Sequence, residues 1–365
     1  MADYRLQDKK NNSPTPVTAA PGPVFVVGLW RSGTSLLYTL LNQHSGIALM
    51  YEADLPLLRQ LFRKAGSKPD WLERWEFWNS ALTRHRIDQK QIPGHVPDLR
   101  SGAEIVWKRY AGDALYGEKS PNYYDSLQWL SREFPNARFV VIWRNPADIC
   151  RSILRAAGTG SSFFAKRGIT HRALIGTRRL KSECEALAKH GVSLHQVQYE
   201  EMITEPERVL SGICDFLQIP FDPQMASLEG ADHSAVYEAD HHSGVKSKTI
   251  GPNKGREEVL PLPLKNKIDR YVSYWQREYG GAWPQYPKLS AGKCPRPSLL
   301  ERSWDEFLFR GLRAFDRFTS LVYCYAPISL LRRYRSAKAK PAEAEVVERR
   351  VPKESAALPE VSPRG

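Results

Sequence analysis

Residues 23–41 read PVFVVGLWRSGTSLLYTLL, an apolar β-branched run, a turn bounded by two glycines, then an apolar run. The run Pro23–Val27 has no polar alternation, which is the pattern of a strand covered on both faces. SLLYTLLNQH directly after the turn reads as a helix. A strand buried on two sides needs helices above and below it, so this segment alone favours a layered α/β architecture.

The rest of the chain follows the same alternation. Ile47–Met50, Ala114–Gly117, Arg138–Trp143 and Leu194–Tyr199 are strand candidates. Helices are expected over Leu55–Lys64, over Asp70–Leu82 with Asp70 as N-cap, and from Asn145-Pro146 onward. More are expected over His171–His190, Glu205–Leu217 and Asn266–Tyr279. Strands alternating with helices predict a central parallel sheet flanked by helices in three layers. The domain would span residues 23–287. A polar, disordered N-terminus covers 1–22, a helical extension 288–335, and a disordered tail 336–365. Ala231–Glu257, rich in His, Ser, Gly and Lys, reads as a long mobile loop.

Charge narrows the ligand class. The formal net charge is +13, and from Lys288 onward 16 Lys plus Arg face 9 Asp plus Glu, a net of +7. The main domain is therefore mildly basic, which suits a small polyanionic ligand and does not call for a nucleic acid. Cys150, Cys184, Cys214, Cys294 and Cys324 are scattered and odd in number, without a CxxC pair. That argues against a disulfide framework and a zinc site. No apolar leader opens the chain and no run reaches the roughly 18–20 apolar residues of a membrane span, so the expected setting is cytoplasmic.

The loop GLWRSGTS, Gly28–Ser35, can hold phosphate. A helix N-terminus behind a glycine turn offers free N–H groups and a favourable dipole to an anion. Gly33 permits close approach, Thr34 and Ser35 add hydroxyls, and Arg31 adds a cation. The spacing GxxxxG matches a nucleoside-triphosphate loop, but Thr34 stands where that motif has Lys. The strand RFVVIW ends in Arg144 and not in a magnesium-binding carboxylate, so no metal is expected. Arg144, with Ser152 eight residues later on the following helix, could clamp a second phosphate. Taken alone, the glycine turn could be only a turn and Arg144 only a surface ion pair.

WRSGTSLL resembles the 5′-phosphosulfate loop of sulfotransferases, with Arg31 on the basic position before Ser32, Gly33, Thr34, Ser35 and Leu36. RFVVIWRNPADICRSIL is similar to the 3′-phosphate site of that family, which implies Arg144 and Ser152 as its clamp. YEEMITEPERVLSGICDFLQIPFD resembles a later strand and helix of the family, where Tyr199 lies near the nucleotide. The similarity runs from about Val24 to Tyr279, without the His-rich loop. In motifs it is closest to heparan-type carbohydrate and tyrosylprotein sulfotransferases. It implies a P-loop-like fold and a sulfuryl transfer from 3′-phosphoadenosine-5′-phosphosulfate to an acceptor hydroxyl.

Such a transfer needs a base for the acceptor proton and a cation for the departing phosphate. Glu52, just past the second strand, falls where these relatives carry the base; His44 lies too far along the first helix. Glu52 alone could equally be a capping or surface carboxylate. GEKSP, Gly117–Pro121, resembles carbohydrate sulfotransferases, which makes Lys119, with Arg31, the candidate for steadying the leaving group and a saccharide the favoured acceptor. Glu118 would orient Lys119 or cap the turn. Lys254, Gly255 and Arg256 resemble weakly a stretch that closes over the 3′-phosphate.

Other features read more plainly. Trp71, Trp75 and Trp78 are expected in the core, and His233, His241 and His242 in a solvated loop. In the extension, Leu308, Leu312, Phe315 and Val322 recur at helical spacing among Arg310, Arg313 and Arg317. That helix could lie on an anionic membrane, or pack on the domain with its arginines outward. Rival readings for the whole are a P-loop kinase or NTPase, and a nucleotide-binding module without catalysis.

Overall fold

At the centre of the molecule runs strand β1 (Val24–Gly28), with every residue buried. The computed structural model describes residues 22–63, 66–166, 168–236, 250–251, 259–280, 286, 295–334 and 336. β2 (Ile47–Tyr51), β5 (Leu115–Lys119), β6 (Arg138–Trp143) and β7 (Leu194–Gln198) join β1 in one parallel sheet, ordered β2-β5-β1-β6-β7. A two-stranded ribbon, β3 (Phe62–Arg63) and β4 (Gly66–Ser67), stands apart from it.

Alternation along the strands sorts the side chains into two cores. Val24, Val26, Val140 and Ile142 face one layer, formed by α1 (Thr34–Leu41), α8 (Tyr199–Thr204) and α9 (Pro206–Leu217). Phe25, Val27, Phe139 and Val141 face the larger layer. That layer holds α2 (Trp71–Asn79), α4 (Leu99–Ala111), α5 (Leu127–Glu133), α6 (Pro146–Gly158), α7 (Ile169–Lys189) and α10 (Leu262–Tyr279). Trp71 and Trp75 are fully buried in it, and Trp78 packs edge-on against Tyr323.

Two expected helices change form. Leu55–Leu61 is a 3-10 segment followed by the β3–β4 ribbon, not a helix to Lys64. The segment is kinked at Leu58, whose φ of −96° and ψ of 28° are not helical, so no continuous helix runs through it. The helix expected over Asp70–Leu82 breaks at Ser80, whose φ of 54° is left-handed, into α2 and α3 (Ala81–Arg84). α4 and α5 carried no expectation, although Asp98 caps α4 by accepting from Ser101 N at 2.7 Å.

Beyond the sheet, α11 (Leu299–Tyr325) begins in a Ser-x-x-Glu box, where Ser298 Oγ accepts from Glu301 N at 3.0 Å. Arg74 of α2 donates to the carbonyls of Tyr323 and Ala326 at the other end, at 3.0 and 2.8 Å. Cations at the carbonyl end of a helix are favourable. The helix is therefore docked on the domain at both ends.

Gly117 shows how closely the sheet is built. It lies opposite Val24, and a Cβ there would stand 2.0 Å from the Val24 carbonyl oxygen and 2.6 Å from its nitrogen. Its φ of 147° also disfavours other residues. Gly117→Ala should destabilise by at least about 4 kcal/mol, because backbone and not a flexible side chain must move. Denaturant titration checks this; a loss below about 1 kcal/mol would mean that β5 and β1 are not paired in this register.

Candidate active site

After β1 the chain turns sharply, with Ser32 N and Ser32 Oγ both donating to the Leu29 carbonyl, at 3.1 and 2.7 Å. Ser32 therefore closes the turn. Arg31 (φ 67°) and Gly33 (φ 102°) are both left-handed, which swings the chain into α1. A Cβ on Gly33 would stand 2.4 Å from the Tyr199 ring, so glycine here lets that ring lie on the loop. The first intrahelical bond runs from Leu37 N to Gly33 O. By helix geometry the N–H groups of Thr34, Ser35 and Leu36 have no acceptor within α1, and its dipole favours an anion in front of them.

On one side of the loop stand the cations expected at a second phosphate. β6 delivers Arg144 at its end, and Asn145 then caps α6 by accepting from Ala147 N at 2.9 Å. Arg144 Nη1 donates to the Arg31 carbonyl at 2.8 Å, and Arg31 Nε donates to Ser152 Oγ at 2.9 Å. The Arg144 guanidinium lies 4.1 Å from the centre of the Tyr199 ring, and its buried Nε has no hydrogen-bond partner among the described residues. Burial, then the charge of Arg144, lowers the pKa of Arg31 to about 10, with Arg155 adding to the effect. Arg31 stays charged at neutral pH, but in the field of like charges. A dianion would relieve that repulsion.

On the other side, the neighbouring ends of β2 and β5 bring Glu52 and Lys119 together. Lys119 is 0% exposed. Its Nζ donates to Glu52 Oε1 at 2.6 Å and to Ser35 Oγ at 3.3 Å, and lies 3.5 Å from the centre of the Tyr51 ring. Ser35 Oγ and Tyr51 OH are 2.8 Å apart. Burial pulls the Lys119 pKa down, and the Glu52 carboxylate opposes it. The Glu52 side chain remains 16% exposed, so one face of the pair opens outward. Ser35 thus links Lys119 to the first turn of α1.

Glu52 is clamped through its backbone. Its φ is 45°; its N–H donates to Lys119 O at 2.7 Å, and its carbonyl accepts from Asn79 Nδ2 at 2.7 Å and Arg84 Nη2 at 3.1 Å. Glu118 points to the opposite side of the strand from Lys119. It accepts from Tyr123 OH, from Trp107 Nε1 at 3.1 Å and from Asp54 N at 3.3 Å. Its role is to hold the Asp54 turn, in place of the orienting or capping expected for it. Asp54 in turn accepts from Ser120 Oγ at 2.5 Å and Asn122 Nδ2 at 2.8 Å, and Asn122 Oδ1 accepts from Trp30 Nε1 at 3.2 Å. A buried polar network therefore runs from beneath Glu52 to the phosphate loop.

Asp54, Asn79, Arg84, His85 and Asn122 were not singled out in the sequence; only the closeness of Asp54 to Glu52 pointed to any of them. His44 accepts from Gly46 N at 2.9 Å and lies 2.9 Å from Pro220 O, so it shapes a turn. Lys254, Gly255, Arg256, His241 and His242 lie outside the described residues. A cleft of about 460 Å³ lies elsewhere, lined by Arg178, Tyr274, Trp275 and Arg302 among others. It touches neither the loop nor the Lys119–Glu52 pair.

Comparison with known proteins gives the family. A family described as "Sulfotransferase family" matches residues 23–223. Protein-tyrosine sulfotransferase A of Caenorhabditis elegans is 22% identical over 211 residues, 55% of this chain and 51% of that protein. Nodulation protein NoeE of Sinorhizobium fredii is 30% identical over 146 residues, 38% of this chain and 32% of that protein. The chain spans about half the length of the protein-tyrosine sulfotransferase it matches in the worm. A solved sulfotransferase domain from the curacin biosynthetic pathway shares the fold, with a TM-score of 0.51 and 21% identity, covering 71% of this chain and 99% of that one.

The buried acids beneath the site set a pH dependence. Burial, then Asp54, pushes Glu118 up to about 8, and burial, then Glu52, pushes Asp54 up to about 6. Burial pulls His85 down to about 4 while its Nε2 accepts from Tyr51 N at 2.8 Å. A carboxyl raised in the folded state holds more protons there than when unfolded, so stability falls as pH rises towards the raised value. A depressed His acts oppositely, and only below about 6.5. Between pH 6.5 and 8, Glu118 is therefore the one of these three still titrating. Glu118→Gln should flatten the loss of stability across that window by about 2 kcal/mol relative to the parent protein. Denaturant midpoints at matched pH measure it; parallel pH profiles would mean that Glu118 is ionised throughout.

Proposed function

Because this chain belongs to the sulfotransferase family, we propose that it passes a sulfuryl group from 3′-phosphoadenosine-5′-phosphosulfate to an acceptor hydroxyl, with Glu52 as general base. The observation that carries the assignment is the Lys119–Glu52 pair, 2.6 Å long, tied by Ser35 to the first turn of the phosphate loop. A base and a cation that touch each other beside an anion site are what in-line transfer between two oxygens requires.

Each residue then has a task. Arg144 and Ser152 hold the 3′-phosphate, with Tyr199 behind Arg144, and Arg31, which reaches Ser152 from the loop, steadies the leaving group together with Lys119. The N–H groups from Gly33 to Leu36 receive the 5′-phosphosulfate. The acceptor oxygen attacks sulfur while its proton passes to Glu52. The bond from sulfur to the bridging oxygen breaks, and the electron pair stays on the departing phosphate. Lys119 and the loop N–H groups meet that negative charge, and adenosine 3′,5′-bisphosphate leaves. No metal enters this scheme.

For the acceptor we favour a saccharide hydroxyl, on the Gly117–Pro121 sequence GEKSP. A tyrosine phenol is the second reading, because relatives over half of this chain carry the name protein-tyrosine sulfotransferase. Both are hydroxyl acceptors and both need the same base. Initial rates on oligosaccharides and on tyrosine peptides, compared as kcat/KM, separate them.

Two measurements test the site. Calorimetry should show magnesium-independent binding of adenosine 3′,5′-bisphosphate that weakens at least about tenfold in Arg144→Ala, as expected for a lost charge-assisted contact. Glu52→Gln should bind the bisphosphate as the parent does and lower kcat by about 10²–10⁴, the usual worth of a general base. Its melting temperature should also fall, because Lys119 loses its ionic partner in a buried site. Preference for ATP with magnesium would remove the donor assignment. Full kcat in Glu52→Gln would place the base elsewhere.

A further inference from the structure

A surface helix normally turns its apolar stripe to the core and its charges to water. α11 buries Phe309 and Cys324 in this way, yet it also turns charges inward and a long apolar face outward. The side facing the domain carries Asp305, which accepts from Tyr271 OH at 2.5 Å and Lys267 Nζ at 2.6 Å. From the same helix, Arg313 pairs with Asp125 at 2.5 Å and Glu301 with Arg270 at 2.7 Å. Outward stand Leu300 (83% exposed), Trp304, Phe307 (66%), Phe315, Phe318 (61%) and Tyr325.

At 100° per residue these side chains, with Gly311, Ala314, Leu321 and Val322 among them, fall within an arc of about 120°. The arc contains no Asp, Glu, Lys or Arg. Over 27 residues the apolar face is about 40 Å long. Single exposed apolar residues are ordinary, but a continuous face of this size marks a contact surface. Exposed Arg310 and Arg317 run along one border of it. After Pro327, residues 328–334 are again helical and expose Leu330, Arg333 and Tyr334.

We propose that this face is a membrane-binding surface, lying in the plane of an anionic lipid interface. No described helix is long and apolar enough to cross a membrane, so α11 would lie on the interface and not span it. Charge decides between lipid and a second copy of the chain. Trp304, Phe307, Gly311, Ala314, Phe318 and Leu321 do follow the 3-4 spacing of a helix pair. The flanking positions that set such pairings hold Arg310 and Arg317 on one side and Leu308, Phe315 and Val322 on the other. Arg310 meets Glu306 of its own helix at 3.0 Å, and in an antiparallel pair the Arg310 and Arg317 side chains of the two copies would face each other. The arc is also wider than a two-helix seam. A lipid interface accepts the whole arc, suits Trp and Tyr at its boundary, and answers the arginines with anionic head groups. The net charge of +13, of which +7 lies from Lys288 onward, attracts the chain to the same surface.

The test uses the full chain with vesicles of phosphatidylcholine alone, and of equal parts phosphatidylcholine and phosphatidylglycerol. Co-sedimentation should favour the anionic vesicles and weaken with salt. Phe315→Glu with Phe318→Glu should lower the partition coefficient at least about tenfold, through lost apolar burial. Arg310→Gln with Arg317→Gln should lower it about tenfold and make the salt dependence shallower than the parent's. All four side chains are exposed, so melting temperatures should match the parent. Failure of the parent to bind anionic vesicles would overturn the proposal, as would unchanged binding of the Phe variant. A dimer in light scattering that the Phe variant splits, with vesicles ignored, would assign the face to a second copy. None of these readouts depends on the donor or the acceptor.

Discussion

Lys119 is an ammonium group with no exposed surface, and much of the site is arranged around that fact. Removing such a charge from water costs several kcal/mol unless partners surround it. Here the partners are the Glu52 carboxylate, the Ser35 hydroxyl and the face of Tyr51. Two of them, Tyr51 and Glu52, come from the end of β2 and the third from α1, so the pairing of β2 with β5 must be in register for them to arrive. Tyr51 faces Lys119 across the β2–β5 ladder, and Ser35 reaches across from α1 above β1. Glu52 meets the ammonium only because the chain enters a left-handed conformation directly after β2, with Asn79 and Arg84 on its carbonyl. One buried charge thus connects sheet register, backbone conformation and the position of the carboxylate.

The two sides of the phosphate loop solve opposite electrostatic problems. Beside Tyr51 a single cation is balanced by a single anion, leaving a neutral pair with a partly open face. Beside Tyr199 the cations Arg31, Arg144 and Arg155 act on one another, and the pKa of Arg31 falls for that reason as well as for burial. The first arrangement is stable as it stands and suited to moving a proton. The second is improved by an incoming dianion, and the buried Arg144 Nε, without a partner among the described residues, lies within it. The arginine cluster and the Lys119–Glu52 pair are separated in space by the width of one loop.

How far the sequence reaches follows from the range of each interaction. The strands β1, β6 and β7 and the loop between β1 and α1 are legible because their patterns are local. Arg144 and Ser152 are legible because a strand end and the next helix are adjacent in any parallel sheet. The Glu52–Lys119 meeting was readable only through family motifs, since the residues lie 67 positions apart. The left-handed breaks at Asp54 and Ser80 left no local trace, as neither is glycine. Arg84 and His85 carry no motif, and their importance lies in backbone groups of Tyr51 and Glu52 that they satisfy. The orientation of α11 was unreadable for the same reason. Its inward charges find partners on α7, α10 and the turn at Asp125, far off in sequence, which frees the apolar side to face outward.

α2 ties these parts together. At its N-terminal end Arg74 holds the last carbonyls of α11. One residue later, Trp75 donates to Ala53 O at 2.6 Å, and at the last turn Asn79 donates to the carbonyls of both Glu52 and Ala53 at 2.7 Å. The same short helix therefore anchors α11 and sets the backbone that presents the carboxylate. Trp71 and Trp75 fill the core beneath it, so it has little freedom to tilt without opening a cavity. A helix held in this way transmits position and not motion. The apolar face of α11 and the outward side of the Lys119–Glu52 pair keep a fixed spatial relation through it. Whatever surface receives α11 then meets the Glu52 carboxylate in one orientation.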